Sequence, residues 1–351
     1  MAKYLFYTGS FNDAFSICEF DTDQQKLSHI RKIPHPRPAY LTLSSDQKNL
    51  YVASEMCGEP GGVAAFAISD PYNPVLRTHV MPPNSQGPCY ILLSDDGKYL
   101  LGCSYFEGNV EVFPIYVDGS IGERCCEYRF TTTGTASLPG LTDQFVPHSH
   151  GAISIRGSNM VLVTDYSGDR VVCFALDHDG NITEKNSLLF QKGDAPRHLA
   201  LHPSRDDIVY MVTEFTSMVY SIKVDMKTGA LTQLNSIHTL QDEKASLSSA
   251  IKVSPNGSFV YVPNRHNKNI SVLSLNDSRE GFSHVGVLPS VGFVRDLVFD
   301  PTGNYIVMGD QHANQIMLYK MNHENGMGAE LNSIIETETP ACFVFLTQLQ
   351  Q

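Results

Sequence analysis

The chain has 351 residues, a net charge of −12 and an apolar fraction of 42%, the profile of a globular protein. No lysine or arginine run stands out, which speaks against a nucleic-acid partner, because phosphate-backbone binding needs a concentrated basic face. No stretch reaches the roughly 18 apolar residues of a membrane span, but a small anion held by a few arginines remains compatible.

The first residues, KYLFYTGSF from Lys3, already read as a strand rather than as the apolar core of a secretory signal. FSICEFD and LSHIRKI follow as two more strands. From Pro38 a unit then recurs: a β-rich run, a turn of Ser, Asp, Pro, Gly or Asn, and a second β-rich run. The copies are PAYLTLSSDQKNLYVASE from Pro38, PCYILLSDDGKYLLGCSY from Pro88, SHGAISIRGSNMVLVTDY from Ser149, PRHLALHPSRDDIVYMVTEF from Pro196, SSAIKVSPNGSFVYVPNR from Ser248 and VRDLVFDPTGNYIVMGDQ from Val294. Each reads as a hairpin. Most are followed by a third strand-like run, such as DRVVCFAL or KNISVLSL, and a weaker fourth. The starts lie about 46 to 61 residues apart, and four strands at that period predict an all-β fold of propeller blades. A seventh start, PACFVFLTQ from Pro340, is cut short by the chain end. The N-terminal strands supply what it lacks. The expectation is a single domain over residues 1–351, a seven-bladed β-propeller whose terminal strands share one blade and leave no open ring edge.

In such a blade the first strand lines the central channel and the second runs back antiparallel to it. The residue after each start and the residue seventeen after it (eighteen in the fourth copy) therefore meet at one mouth. The first offset collects Ala39, Cys89, His150, Arg197, Ser249, Arg295 and Ala341; the second collects Glu55, Tyr105, Tyr166, Glu214, Arg265 and Gln311. His148 and Asp165 lie beside them. Charged groups aimed at a narrow channel must be paired or solvated. A salt-bridge ring pinning the blades together would satisfy that need, but it would not require the histidine pair as well. An anion pocket with acid–base groups accounts for both. A zinc site on His148-x-His150 would suit two rings on one strand side, but the arginine-rich surroundings oppose a cation, so no metal is expected. No P-loop, dinucleotide fingerprint or G-x-S-x-G elbow is present, and no cofactor is expected. The eight cysteines show no CxxC spacing and read as reduced, mostly buried thiols of a cytoplasmic protein.

The stretches PHSHGA, GDAPRHLALHP, VTEFTSMVYSIKV, VPNRHNKNISVLSL, VRDLVFDPTGNYIVMGDQ and CSYFEGNVEVF together resemble the seven-bladed propeller lactonases. That family includes the bacterial propeller-type 6-phosphogluconolactonase and the fungal carboxy-cis,cis-muconate cyclase. The resemblance runs over nearly the whole chain. It departs at VTEF, where an NE pair is common, and at GDQ, where NQ or GQ is common. It implies His150, Arg197, Glu214 and Arg265 as catalytic residues and a small anionic lactone as substrate, with no nucleic acid and no membrane involved. His148, Asp165, His198, Arg295, Gln311 and Tyr105 are candidate substrate contacts; Arg295 and His198 are the candidates for a phosphate cradle. Hydrolysis of 6-phosphogluconolactone is the leading expectation. A lactonising cyclase and a non-catalytic binding propeller are the alternatives. Oligomeric state is left open. The long insert RFTTTGTASLPGLTDQFVP before His148 is expected to wall or cover the pocket.

Overall fold

A computed structural model of the chain describes residues 2–131, 147–242, 246–290 and 292–347. The insert singled out above therefore lies, from residue 132 to 146, outside the described residues. The described residues form seven four-stranded antiparallel sheets. The blade-opening strands are Pro38–Leu43, Tyr90–Leu93, Ser149–Ser154, Pro196–His202, Lys252–Val253, Val294–Phe299 and Pro340–Phe345. We number the blades first to seventh in that order. The seventh closes as expected: Pro340–Phe345 pairs with Lys3–Ser10, Phe6 opposite Phe345, and the two strands that follow Ser10 complete the sheet.

Local chemistry explains the hairpins. At the first turn of the first, second and fifth blades a serine folds back on itself. Ser44, Ser94 and Ser254 donate to Asp46, Asp96 and Asn256, while their oxygens accept the amides of Asn49, Tyr99 and Phe259. In the sixth blade Asp300 takes this place, its carboxylate accepting the Thr302 hydroxyl and the Tyr305 amide. Such side chains mimic a backbone turn.

Packing explains the ring. A sheet side chain alternates faces with a period of two, and every blade is sandwiched between two others. Both faces must therefore be apolar, as in the central strand Met160–Asp165, which is buried throughout. Its even residues Met160 and Leu162 pack towards the fourth blade with Val209 and Met211. Its odd residues Val161 and Val163 pack towards the second with Leu101 and Val112. An apolar cluster of this kind fills each of the seven blade-to-blade interfaces. Burial of apolar surface, worth about 25 cal/mol per Å², is thus spread round the circle.

The channel-lining strands depart from regularity at one place. In five of the seven blades a β-bulge falls at the residue after the strand start, at Ala39, at His150 with Gly151, at Arg197, at Arg295 and at Ala341. A bulge leaves the extra residue unpaired and re-aims its side chain. Just before five of the starts the backbone is also left-handed, at Arg37, Gly87, Ala195, Leu247 and Thr339. Four of these are not glycine. Each such residue costs on the order of 1 kcal/mol, and strain of this kind collects where the fold positions a site.

Candidate functional site

The bulges give the channel mouth its chemistry. In a regular strand Arg197 and His198 would point to opposite sides. Here both face inward, and Arg197 Nη1 lies 3.2 Å from His198 Nε2. Arg197 is 1% exposed and is among the largest fully buried side chains of the molecule. Its Nε donates to Glu214 Oε2 at 3.1 Å and its Nη1 to the Ser249 carbonyl at 2.6 Å. From the fifth blade, Arg265 Nη2 donates to Glu214 Oε1 and Arg265 Nε to the Leu247 carbonyl at 2.6 Å. That carbonyl belongs to one of the left-handed residues. Tyr166 from the third blade donates its hydroxyl to Glu214 Oε2 at 3.1 Å. Three blades thus converge on one carboxylate.

The electrostatics follow from this geometry. Burial alone would raise the Glu214 pKa, but Arg265 and then Arg197 outweigh it and hold the carboxyl well below its ordinary value. Glu214 is therefore a carboxylate whose oxygens are already engaged, fitted to position two guanidiniums rather than to carry a proton. Arg197 Nη2 and Arg265 Nη1 have no partner among the described residues. They are free to donate to an oxyanion.

His150 packs beside this clamp, with ring centroids 6.0 Å from Tyr166 and 5.0 Å from His198. Burial, and after it the Arg197 charge, pushes its pKa well below 6.5. It is thus neutral near pH 7, and its Nδ1 is buried without a hydrogen-bond partner. A neutral imidazole with a free nitrogen is a proton acceptor in waiting. His148 is placed differently. Its Nδ1 donates to the Tyr105 carbonyl at 2.5 Å and its ring stacks on Tyr105, with centroids 4.1 Å apart. The pair forms a wall of the mouth and props the Tyr105 ring, which also meets His150 edge-on at 6.0 Å. Among the described residues no three potential metal ligands converge.

Arg295 and Gln311 stand at the mouth from the sixth blade, both partly exposed, and Gln311 Oε1 is buried without a partner. His198 sits deeper, its ring 5.2 Å from that of Tyr90 and 6.4 Å from that of Tyr40. Burial there, followed by the charge of Arg197, drives its pKa well below 6.5, so it offers no charge to a phosphate. Asp165 turns away from the channel. It accepts Arg170 Nε at 2.8 Å and the Gly168 amide at 3.0 Å, and it is fully buried inside the blade. The reason is the two-residue period: Asp165 precedes the mouth residue Tyr166 and must face the other way. Thr213 and Asp310 occupy the same place in their blades and likewise accept amides, Thr213 that of Met218 where the next strand begins and Asp310 those of His312 and Ala313 in the turn.

Two features escaped the sequence reading. Lys252 Nζ lies 3.2 Å from Asp296 Oδ1 in the channel below the mouth, an ion pair whose carboxylate is buried and whose lysine is partly exposed. Asp296 follows the bulged Arg295, and only the bulge lets both face inward. Arg37, just before a strand start, reaches the same mouth and donates to the Glu55 carbonyl at 2.7 Å. An arginine preceding Pro38 was the available signal.

Comparison with known proteins agrees with this architecture. The 6-phosphogluconolactonase of Bacillus subtilis is 28% identical over 357 residues, covering 99% of this chain and 100% of that protein. The 6-phosphogluconolactonase of Formosa agariphila is 25% identical, covering 91% and 93%. The solved structure of the periplasmic gluconolactonase of Pseudomonas aeruginosa superimposes with a TM-score of 0.89 at 19% identity, over 98% of this chain and 99% of that one, and shares the fold. The family model described as lactonase, 7-bladed beta-propeller, matches residues 6–345, and the chain belongs to that family.

Proposed function

We propose that the channel mouth hydrolyses a small anionic sugar lactone, with 6-phosphogluconolactone as the first substrate to test. Family membership makes the chain a lactone hydrolase. The observation that carries the site assignment is the clamp: Glu214 holds Arg197 and Arg265 beside a neutral His150 with an unbonded Nδ1. The names of the two sequence relatives favour the phosphorylated substrate.

In this reading the neutral imidazole of His150 takes a proton from water as the water oxygen adds to the lactone carbonyl carbon. The carbonyl oxygen becomes an oxyanion, met by Arg197 Nη2 and Arg265 Nη1 in a site shielded from bulk solvent. Collapse breaks the bond between that carbon and the ring oxygen. The ring oxygen receives the proton from His150, and the new acid ionises to the hydroxy-carboxylate. Tyr166 remains protonated, since burial and then the Glu214 charge raise its pKa well above 10. It is a donor that helps fix Glu214. We assign the protein to the cytoplasm, because the thiols of Cys57 and Cys125 are free and exposed, as a reducing compartment allows.

The test is hydrolysis of freshly prepared lactone, followed by alkali uptake at constant pH. Wild type should exceed the spontaneous rate, and His150→Ala should lose about 10²–10⁴-fold in kcat. Equal rates for wild type and His150→Ala, with both folded, would refute the assignment.

A further inference from the structure

The two arms of the clamp are not held alike. Arg197 is tied from two sides, its Nε to Glu214 and its Nη1 to the Ser249 carbonyl. Arg265 is tied along one edge, its Nε to the Leu247 carbonyl and its Nη2 to Glu214. Two hydrogen bonds from one edge oppose rotation about the line joining Nε and Nη2 only weakly. That rotation would carry Nη1 away from an oxyanion. A contact at Cζ, which lies off the line, stops it. Phe293 provides the contact: Arg265 Cζ lies over its ring, 4.8 Å from the centre. The His312 ring stacks on Phe293 in turn, with centroids 4.2 Å apart and planes 18° from parallel.

Core packing does not hold this stack. Phe293 is half-buried, His312 is exposed, and both border a cavity of about 510 Å³ that Arg265, His266 and Lys268 also line. The backbone holds it instead. Asp310 ends the strand Tyr305–Asp310 and is fully buried. Its Oδ1 accepts the amides of Phe293 at 3.0 Å, His312 at 3.1 Å and Ala313 at 2.9 Å. The Phe293 carbonyl accepts the Gln311 amide at 2.9 Å. One carboxylate thus ties together the two segments that carry the rings. Gly292 leaves room for it, since a Cβ there would lie 2.8 Å from Asp310 Oδ2. A partly exposed aromatic pair gains little from burial, so its fixed placement against Arg265 calls for another cause.

We infer that Phe293, backed by His312 and registered by Asp310, is a positioning residue for the hydrolysis: its ring fixes the tilt of the Arg265 guanidinium and so aims Nη1 at the oxyanion. The inference rests on the hydrolase reading above and deepens it. The attraction of a guanidinium to a ring face is electrostatic and grows as water is withdrawn. Arg265 meets that condition, with 4% of its side-chain surface exposed. Aim matters most in the transition state, where the oxyanion forms. The brace therefore acts on kcat and leaves KM nearly unchanged.

The experiment measures lactone hydrolysis in wild type, Phe293→Tyr, Phe293→Leu, His312→Ala, and protein carrying mono-, di- or trifluorinated phenylalanine at position 293. Fluorine keeps the outline of the ring while withdrawing negative charge from its face. Phe293→Leu should lower kcat about 3- to 30-fold, with KM close to that of wild type. Phe293→Tyr should stay near wild type, and His312→Ala should fall between. Across the fluorinated series kcat should drop with each added fluorine while urea unfolding changes little, a trend that a ring serving only to fill space does not give. An unchanged kcat in Phe293→Leu, or a flat fluorinated series, would overturn the brace while leaving the hydrolase intact. A wild type without lactone turnover would overturn the hydrolase reading and, with it, the role given to Phe293.

Discussion

Replacing Glu214 with glutamine tests the clamp at its centre. The side chain keeps its shape and one acceptor oxygen but loses its charge. Two guanidiniums, with 2% and 4% of their side-chain surfaces exposed, then face an amide. Removing one partner of a buried, hydrogen-bonded ion pair costs about 3–5 kcal/mol, because it strands the remaining charge. That is a large part of the roughly 5–15 kcal/mol that keeps a typical domain folded. The pH dependence has a definite sign. The Glu214 pKa is depressed in the folded chain, so its stabilisation is complete above the ordinary value of 4.5 and is lost as pH falls below it. Urea unfolding should therefore show Glu214→Gln about 3–5 kcal/mol less stable at pH 7, with the gap to wild type narrowing on acidification. Turnover should fall by roughly 10²-fold or more as the arginines lose their aim. The acid limb of kcat/KM should persist, moved to lower pH, because the Glu214 charge raises the His150 pKa. Wild-type stability and turnover in this variant would refute the clamp. Disappearance of the acid limb would make Glu214 the base instead of a positioner.

The wild-type acid limb, set by His150, should lie well below pH 6.5, and Arg295→Gln should move it upward, since the Arg295 charge helps depress that histidine; a pH–rate profile reads both. Asp165→Asn should cost about 1–3 kcal/mol, since Arg170 loses one carboxylate but keeps Glu184, read by urea unfolding, while kcat/KM of the folded protein stays near wild type. Asp296→Asn should cost about 1–3 kcal/mol by removing the partner of the partly exposed Lys252, and Asp296→Asn combined with Lys252→Met should recover part of it in the same unfolding assay.

Much of this was legible in the residues. Alternation and turn chemistry marked six hairpins, and the truncated seventh with its surplus N-terminal strands foretold the shared blade. The two mouth offsets put Arg197, Glu214 and Arg265 on three facing strands because strand ends of equivalent hairpins meet at one face. Period-two reasoning failed where the backbone breaks its own period. Nothing in PRH or VRD announces a bulge, yet the bulges at Arg197 and Arg295 turn consecutive residues inward and create the Lys252–Asp296 pair. Nor do Ala195 and Leu247 advertise a left-handed backbone, since neither residue type favours it; the ring imposes that conformation on them. Asp165 was placed in the pocket by proximity to Tyr166, although the same alternation sends it into the blade.

The central claim is that one mouth holds both the reacting carbonyl and the charges that recognise the substrate. A crystal structure of the protein with 6-phosphogluconate, the ring-opened product, tests it most directly. The account predicts the product in the mouth, with its carboxylate at Arg197 and Arg265 and within reach of His150. Product bound on another face of the ring, or lying in the mouth with its carboxylate away from Arg197 and Arg265, would contradict it.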